Sequence, residues 1–125
     1  MNSETLLYRQ VHPSFVQLGR VTSQAFRPTP KDEQKLSVYY GDQISAGDAY
    51  DHYTTSLEFA SCGVMGLLCS ECETLALPVH PDPEPFPEHA VIDFSDHSKK
   101  QTEKKAKQLK ARAAARGWLH GGERI

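Results

Sequence analysis

The chain has no hydrophobic run long enough to cross a membrane. Its longest uncharged apolar stretch, residues 62–69, is less than about half the length of a spanning helix. Three of the 125 residues are cysteines, and an odd count excludes a framework in which every cysteine is paired. The first eight residues lack the basic and apolar regions of a secretory signal. From these absences we expect a cytoplasmic protein without structural disulfides and without a membrane partner.

Two common catalytic motifs are also missing. Neither Gly41 nor Gly47 precedes a Gly-Lys pair, so the sequence lacks a phosphate-binding loop of the P-loop type. It also lacks the Gly-x-Ser-x-Gly elbow of serine hydrolases. The acidic residues Asp82, Glu84 and Glu88 alternate with prolines, which is typical of a solvated loop. The sequence therefore favours a non-enzymatic role without a cofactor, although it leaves an enzyme open.

What the chain does contain is an ordinary globular composition with an unusual distribution of charge. Hydrophobic residues make up 38 % and charged residues 24 %, as expected for one small domain spanning residues 1–125. Residues 1–98 contain five basic and fourteen acidic side chains, whereas residues 99–125 contain nine basic and two acidic ones. An acidic body of charge −9 is thus followed by a basic segment of charge +7.

Hydrophobic periodicity predicts an α+β fold, with an antiparallel or mixed sheet of about five strands. Strands are predicted at residues 6–11, 20–26, 36–40, 63–69 and 89–94, and a polar turn at 31–34. Short helices are predicted at 46–53, with Ser45 as N-cap, and at 71–77, with Ser70 and Glu73 as a capping box. A long basic helix is predicted at about 99–116, and Gly117 marks its end.

A proline-rich segment suggests the first functional hypothesis. Five of the eight prolines lie between residues 78 and 87, which predicts a stiff, extended loop. Such a loop loses little entropy on docking, and Phe86 with Glu84 would contact a partner. This hypothesis describes a regulatory or protein-interaction module of the antitoxin, immunity or accessory type.

A second hypothesis is a small enzyme or a protein that binds a nucleotide or phosphate ligand. Two arginines near one sheet end, Arg9 and Arg20, would grip a phosphate or carboxylate, together with Gln24. The candidate catalytic residues are His12, His89 and Ser23, because imidazole titrates near neutral pH. This second hypothesis requires these side chains to line the same cleft.

The basic helix supports a third hypothesis, nucleic-acid binding. Lys104, Lys107 and Lys110 are its candidate contacts, for nucleic acid or for an acidic protein partner. The favoured alternative is that the helix docks on the sheet through Ala106, Leu109 and Ala113, and that its cations lie over the acidic body.

Cys69 and Cys72 have the spacing of a zinc knuckle or a redox pair. A structural zinc site usually shows two such pairs, and here there is one. We therefore expect buried free thiols and no metal, with redox chemistry as an alternative because Cys72 lies near a predicted helix start.

Four segments of the chain are similar to a group of small bacterial proteins. They are HPSF at 12–15, GRVTSQAF at 19–26, LSV at 36–38 and PEHAVIDF at 87–94. The resemblance implies a bacterial origin and a single domain, and it implies no activity or site residues.

Overall fold

The structure is a computed structural model that describes residues 2–29 and 33–122. The described strands are β1 (Leu6–Val11), β2 (Val16–Gln17), β3 (Arg20–Val21), β4 (Lys35–Tyr40), β5 (Gly63–Leu68), β6 (Val79–Pro81), β7 (His89–Asp93) and β8 (Trp118–Gly121). The described α-helices are α1 (Ala46–Asp51), α2 (Cys69–Thr74) and α3 (Lys99–Arg116).

Six of these strands form one antiparallel sheet in the order β6-β7-β4-β1-β5-β8, and β2 and β3 form a separate hairpin. This confirms the predicted α+β architecture. Two strands of this sheet, β6 and β8, were not predicted. β6 lies where the proline content predicted a loop without a hydrogen-bond ladder, and that prediction was wrong. β6 is an edge strand that pairs only with β7. Its outer side has no neighbouring strand, so a proline, which has no backbone N–H, is tolerated there.

One face of the sheet is covered by the long basic helix. α3 has the bounds that the sequence predicted, and Gly117 follows it with a φ of 87°. Its buried residues Ala106, Leu109 and Ala113 are those of the predicted apolar stripe, and Thr102 extends that stripe by one turn. The helix therefore folds back on the sheet and completes the main core.

Two local predictions were wrong. Residues 20–26 are not one strand: β3 ends at Val21, and Ser23–Phe26 forms a 3-10 turn that buries both Ala25 and Phe26. Adjacent residues of a strand point to opposite faces, whereas a turn brings both into the same core. The predicted capping box at α2 is also displaced, because the helix begins at Cys69 and Glu71, not Glu73, accepts the N–H of Leu68 at 2.8 Å.

The remaining predicted elements agree closely with the structure. Ser45 caps α1 by accepting the N–H of Asp48 at 3.1 Å. α1 ends at Asp51, and a π-helical turn, His52–Ser56, continues it. The predicted turn at 31–34 lies partly outside the described residues.

The opposite face of the sheet is only partly covered. A smaller core of Tyr8, Tyr39, Ala49 and Val64 lies between this face and α1. The pairing of β1 with β4 is short, since it joins Leu7 to Tyr40 and Tyr8 to Tyr39. The neighbouring region of this face is where a cleft opens.

Candidate functional site

The half-covered face carries a cleft of about 560 Å³, a volume typical of small-molecule sites. We call it the aromatic cleft. Its lining comprises Tyr8, Arg9, Gln10, Ser37, Val38, Tyr39, Tyr53, Leu57, Phe59, Pro85, Phe86 and His89. The floor comes from three adjacent strands, one wall from the segment after α1 and the other from the proline-rich segment before β7.

The floor is a row of aromatic side chains that strand register aligns. Tyr8 on β1 is opposite Tyr39 on β4, and Tyr39 is opposite His89 on β7. Residues directly opposite each other in an antiparallel sheet project to the same face. Burial raises the pKa of Tyr39, and its hydroxyl lies 2.7 Å from Nδ1 of His52. The tyrosine is therefore a protonated, fixed part of the floor at neutral pH.

Phe86 forms the centre of one wall. Its ring centroid lies 4.9 Å from that of Tyr39, 4.7 Å from that of His52 and 5.1 Å from that of His89. On the other wall, the rings of Tyr53 and Phe59 lie 5.2 Å apart. Aromatic side chains thus line both walls of the cleft.

Gln10 is a floor residue with a buried polar atom that has no hydrogen-bond partner in the described part of the chain. The residue is 6 % exposed, and its Oε1 accepts a hydrogen bond from the hydroxyl of Ser61 at 2.8 Å. Its Nε2 is buried and has no hydrogen-bond partner in the described part of the chain. An unpaired buried amide costs about 1–3 kcal/mol. Such a group therefore requires an explanation, and a bound acceptor would provide one.

His89 has one ring nitrogen engaged. Its Nδ1 lies 2.9 Å from the backbone oxygen of Asp82 and 3.3 Å from that residue's carboxylate. A carbonyl oxygen only accepts, so Nδ1 is the donor and Nε2 of the neutral ring is an acceptor. No bond to Nε2 is found among the described residues. The floor thus carries one buried donor, on Gln10, and one acceptor, on His89 when its ring is neutral.

Arg9 stabilises the place where β1 and β4 separate. Its Nε donates to the carbonyl of Ala25 at 2.7 Å, and Nη1 donates to the carbonyl of Ser37 at 2.9 Å. Charge-assisted bonds of this kind satisfy backbone groups outside the strand ladder. Arg9 therefore has a structural role at the edge of the cleft.

The candidate ligand-binding and catalytic residues from the sequence do not share one cavity. Only Arg9 and His89 line the aromatic cleft. Arg20 and Ser23 line a groove beside α3. Gln24 lines a third cavity, of about 580 Å³, and Arg9 lines that cavity as well. His12 is exposed, and its Nδ1 accepts the N–H of Ser14 at 3.0 Å, which caps a 3-10 turn.

The candidate partner-binding residues are also dispersed. Phe86 packs into the wall of the cleft, whereas Glu84 is exposed on the same loop. Lys107 and Lys110 line the groove with Arg20, and Lys104 lines another cavity near the end of α2. The protein-interaction hypothesis stays a prediction.

The three cysteines are free, and Cys69 and Cys72 are buried. Burial raises the pKa of Cys72 to about 12 and also raises that of Cys69, which disfavours a reactive thiolate. No group of three or more histidine, cysteine or acidic side chains with metal-binding geometry occurs in residues 2–29 and 33–122.

Sequence reasoning missed most of the cleft. Gln10, Tyr39 and Tyr53 were not among its candidates, and neither was Phe59. One signal was available, because Gln10 is an uncharged polar residue within the apolar strand 6–11. Its importance depends on burial and on the lack of a partner, which the linear pattern does not show.

No family model, curated protein or solved structure matches the chain. Across residues 2–29 and 33–122, no helix has both the length and the apolar character needed to cross a membrane.

Proposed function

We propose that the protein binds a small, uncharged, planar heterocycle in the aromatic cleft. The single observation that carries this proposal is the buried Nε2 of Gln10, which lacks a partner in the described chain. This nitrogen has almost no contact with solvent in the free protein, so a ligand seated against the floor would supply its acceptor only when the neighbouring floor side chains shift to admit it. On this proposal, the unpaired amide lowers the stability of the free protein and becomes paired when the ligand binds.

The lining narrows the chemistry of the ligand. Oε1 of Gln10 already accepts from Ser61, so this amide contributes only a donor. His89 contributes an acceptor when its ring is neutral. The ligand should therefore carry a ring nitrogen or carbonyl and an N–H, as nucleobases and aromatic carboxamides do.

The walls favour a flat and neutral molecule. Phe86, Tyr53 and Phe59 offer aromatic surface, and stacking adds about 0.5–1.5 kcal/mol per ring pair. The guanidinium of Arg9 is engaged with two carbonyl groups, so it is not the anchor that a phosphate needs. These contacts support a neutral heterocycle over the phosphate ligand that the sequence suggested.

Binding is tested with uracil, hypoxanthine and nicotinamide as probes and benzene as an apolar control. Calorimetry measures affinity, and ¹⁵N-edited NMR follows the side-chain amide of Gln10. We expect at least one polar probe to bind and to shift the Gln10 amide resonance, because that nitrogen gains an acceptor.

The matched variants are Gln10→Met and Gln43→Met, which exchange a buried and an exposed glutamine for the same residue. Gln10→Met should weaken binding at least tenfold, whereas Gln43→Met should not change it. The proposal is overturned if no polar probe binds, if benzene binds as tightly, or if Gln10→Met binds like the native protein.

A further inference from the structure

A groove of about 630 Å³ lies between the β2–β3 hairpin and α3, on the side of the sheet that the helix covers. We call it the basic groove. Arg20 and Ser23 line it from the hairpin side, and Lys107 and Lys110 line it from the helix. It is separate from the aromatic cleft, with which it shares no lining residue.

The cations of the basic groove have no counter-ions in the described chain. Arg20, Lys107 and Lys110 form no ion pair there, although α3 contributes to ion pairs elsewhere. Those pairs join Glu103 to Arg27 and Arg116 to Glu71. The expectation that the helix cations lie over acidic residues of their own fold therefore does not describe this groove.

The two segments that build the groove contain no carboxylate. Residues 5–31 include three arginines and no acidic residue, and residues 104–122 include only basic charges. All sixteen acidic residues of the chain lie outside these two segments. Folding brings the two segments together, so their charges add and create a local positive potential on a protein of net charge −2.

The lining of the groove distinguishes among anionic partners. Leu18 at the hairpin tip is its one exposed large apolar side chain, and a single such residue is too little apolar surface for insertion into a bilayer. Lys107 and Lys110 are separated by about 4.5 Å along the helix, and Arg20 lies across from them. Cations on both sides of a channel suit a chain of successive phosphates.

We propose that the basic groove binds the phosphodiester backbone of a single-stranded nucleic acid without reading its bases. The cations recognise phosphates, and Ser23 with Gln17 adds polar groups at the same wall. The groove lining contains no aromatic side chain, so base stacking contributes little and sequence preference should be weak.

The test is fluorescence anisotropy with labelled mixed-sequence DNA strands of about 12 nucleotides. Three phosphate contacts predict that log K falls with log salt with a slope of about −2. Inorganic phosphate, poly-glutamate and phosphatidylserine vesicles are the competitors. We expect none of them to displace the strand at equal charge concentration, and we expect two strands of different sequence to bind equally.

Variants locate the site on the helix. Lys107→Gln and Lys110→Gln should each weaken binding several-fold and reduce the salt slope by about 0.7. The control is Arg112→Gln, which removes an exposed cation of the same helix outside the groove. All three positions leave the buried stripe of α3 intact, and unchanged thermal melting verifies folding.

Several outcomes overturn this proposal. These are the absence of binding at about 50 mM salt, an equal loss in Arg112→Gln and Lys107→Gln, or displacement by phosphate, poly-glutamate or vesicles. A strong sequence preference overturns the claim that bases are not read. Gln10→Met should leave binding of the DNA strand unchanged. A failure of the nucleic-acid proposal is therefore distinguishable from a failure of the proposed heterocycle site in the aromatic cleft.

Discussion

Replacing Gln10 by methionine should stabilise the protein. The native side chain has a buried Nε2 without a partner in the described chain, and methionine fills similar space without a polar donor. Removing an unsatisfied buried amide recovers about 1–3 kcal/mol. The same change breaks the 2.8 Å hydrogen bond from Ser61 to Gln10, and this loss offsets about 1 kcal/mol of that gain.

The loss at Ser61 is reduced because its hydroxyl has a second acceptor. The carbonyl oxygen of Gly63 lies 3.0 Å from the Ser61 hydroxyl. The net expectation is therefore a gain of about 1 kcal/mol in the free energy of unfolding, or a rise of about 4 °C in Tm for a chain of this size.

Urea denaturation measures this difference, and an unchanged m-value confirms that both proteins unfold by the same transition. Gln43→Met, at an exposed position, should stay within about 0.5 kcal/mol of the native protein. In a double-mutant cycle, Ser61→Ala should cost less in the Gln10→Met background than in the native one. A loss of more than about 1 kcal/mol in Gln10→Met would refute the reasoning, because it would show that the amide is already well paired.

Three further results are expected. Leu109→Ala should lower the free energy of unfolding by about 2–5 kcal/mol in urea titrations, because this fully buried side chain attaches α3 to the sheet; a loss below about 1 kcal/mol would contradict that role. Burial raises the pKa of Glu71, but bonds from Arg116 and from the Leu68 N–H outweigh it, and the net pKa is lowered from 4.5. Glu71→Gln should therefore lower the free energy of unfolding at pH 7. This loss should shrink as the pH falls below 4.5 and through the lower pKa of Glu71 in the folded protein. A loss of stability that grows on acidification would contradict a lowered pKa. Cys72, with its pKa raised to about 12, should resist iodoacetamide at pH 8 in the folded protein and react in urea, as mass spectrometry would show; rapid labelling of the folded protein would contradict its burial.

The two faces of the sheet have different chemical characters. α3 closes one face with small and apolar side chains, and its cations remain at the surface. The other face is left partly open where β1 and β4 separate, and aromatic rings surround the opening. Each proposed site thus depends on how one face is covered, and the two are tested by different variants.

Local sequence was sufficient for elements whose physical signal lies within a few residues. Residues 6–11 form an apolar run that predicted β1, and Ser45 caps α1 through a hydroxyl three residues from its donor. α3 follows from a run of strong helix formers that ends at Gly117. Local patterns failed at residues 20–26, because burial of both Ala25 and Phe26 depends on the distant α3 and sheet.

The amino-acid sequence by itself determined the fold class, the basic terminal helix with its buried stripe, and the separation of charge along the chain. These properties depend on periodicity, helix propensity and composition, which are readable from neighbouring residues. Only the tertiary structure decided that Gln10, His89 and Phe86 share a cleft, and that Arg20 lies across from Lys107. Those residues come from distant parts of the chain, and strand register and helix docking bring them together. The unpaired donor and the unpaired cations are properties of that arrangement, because a group lacks a partner only with respect to its neighbours in space.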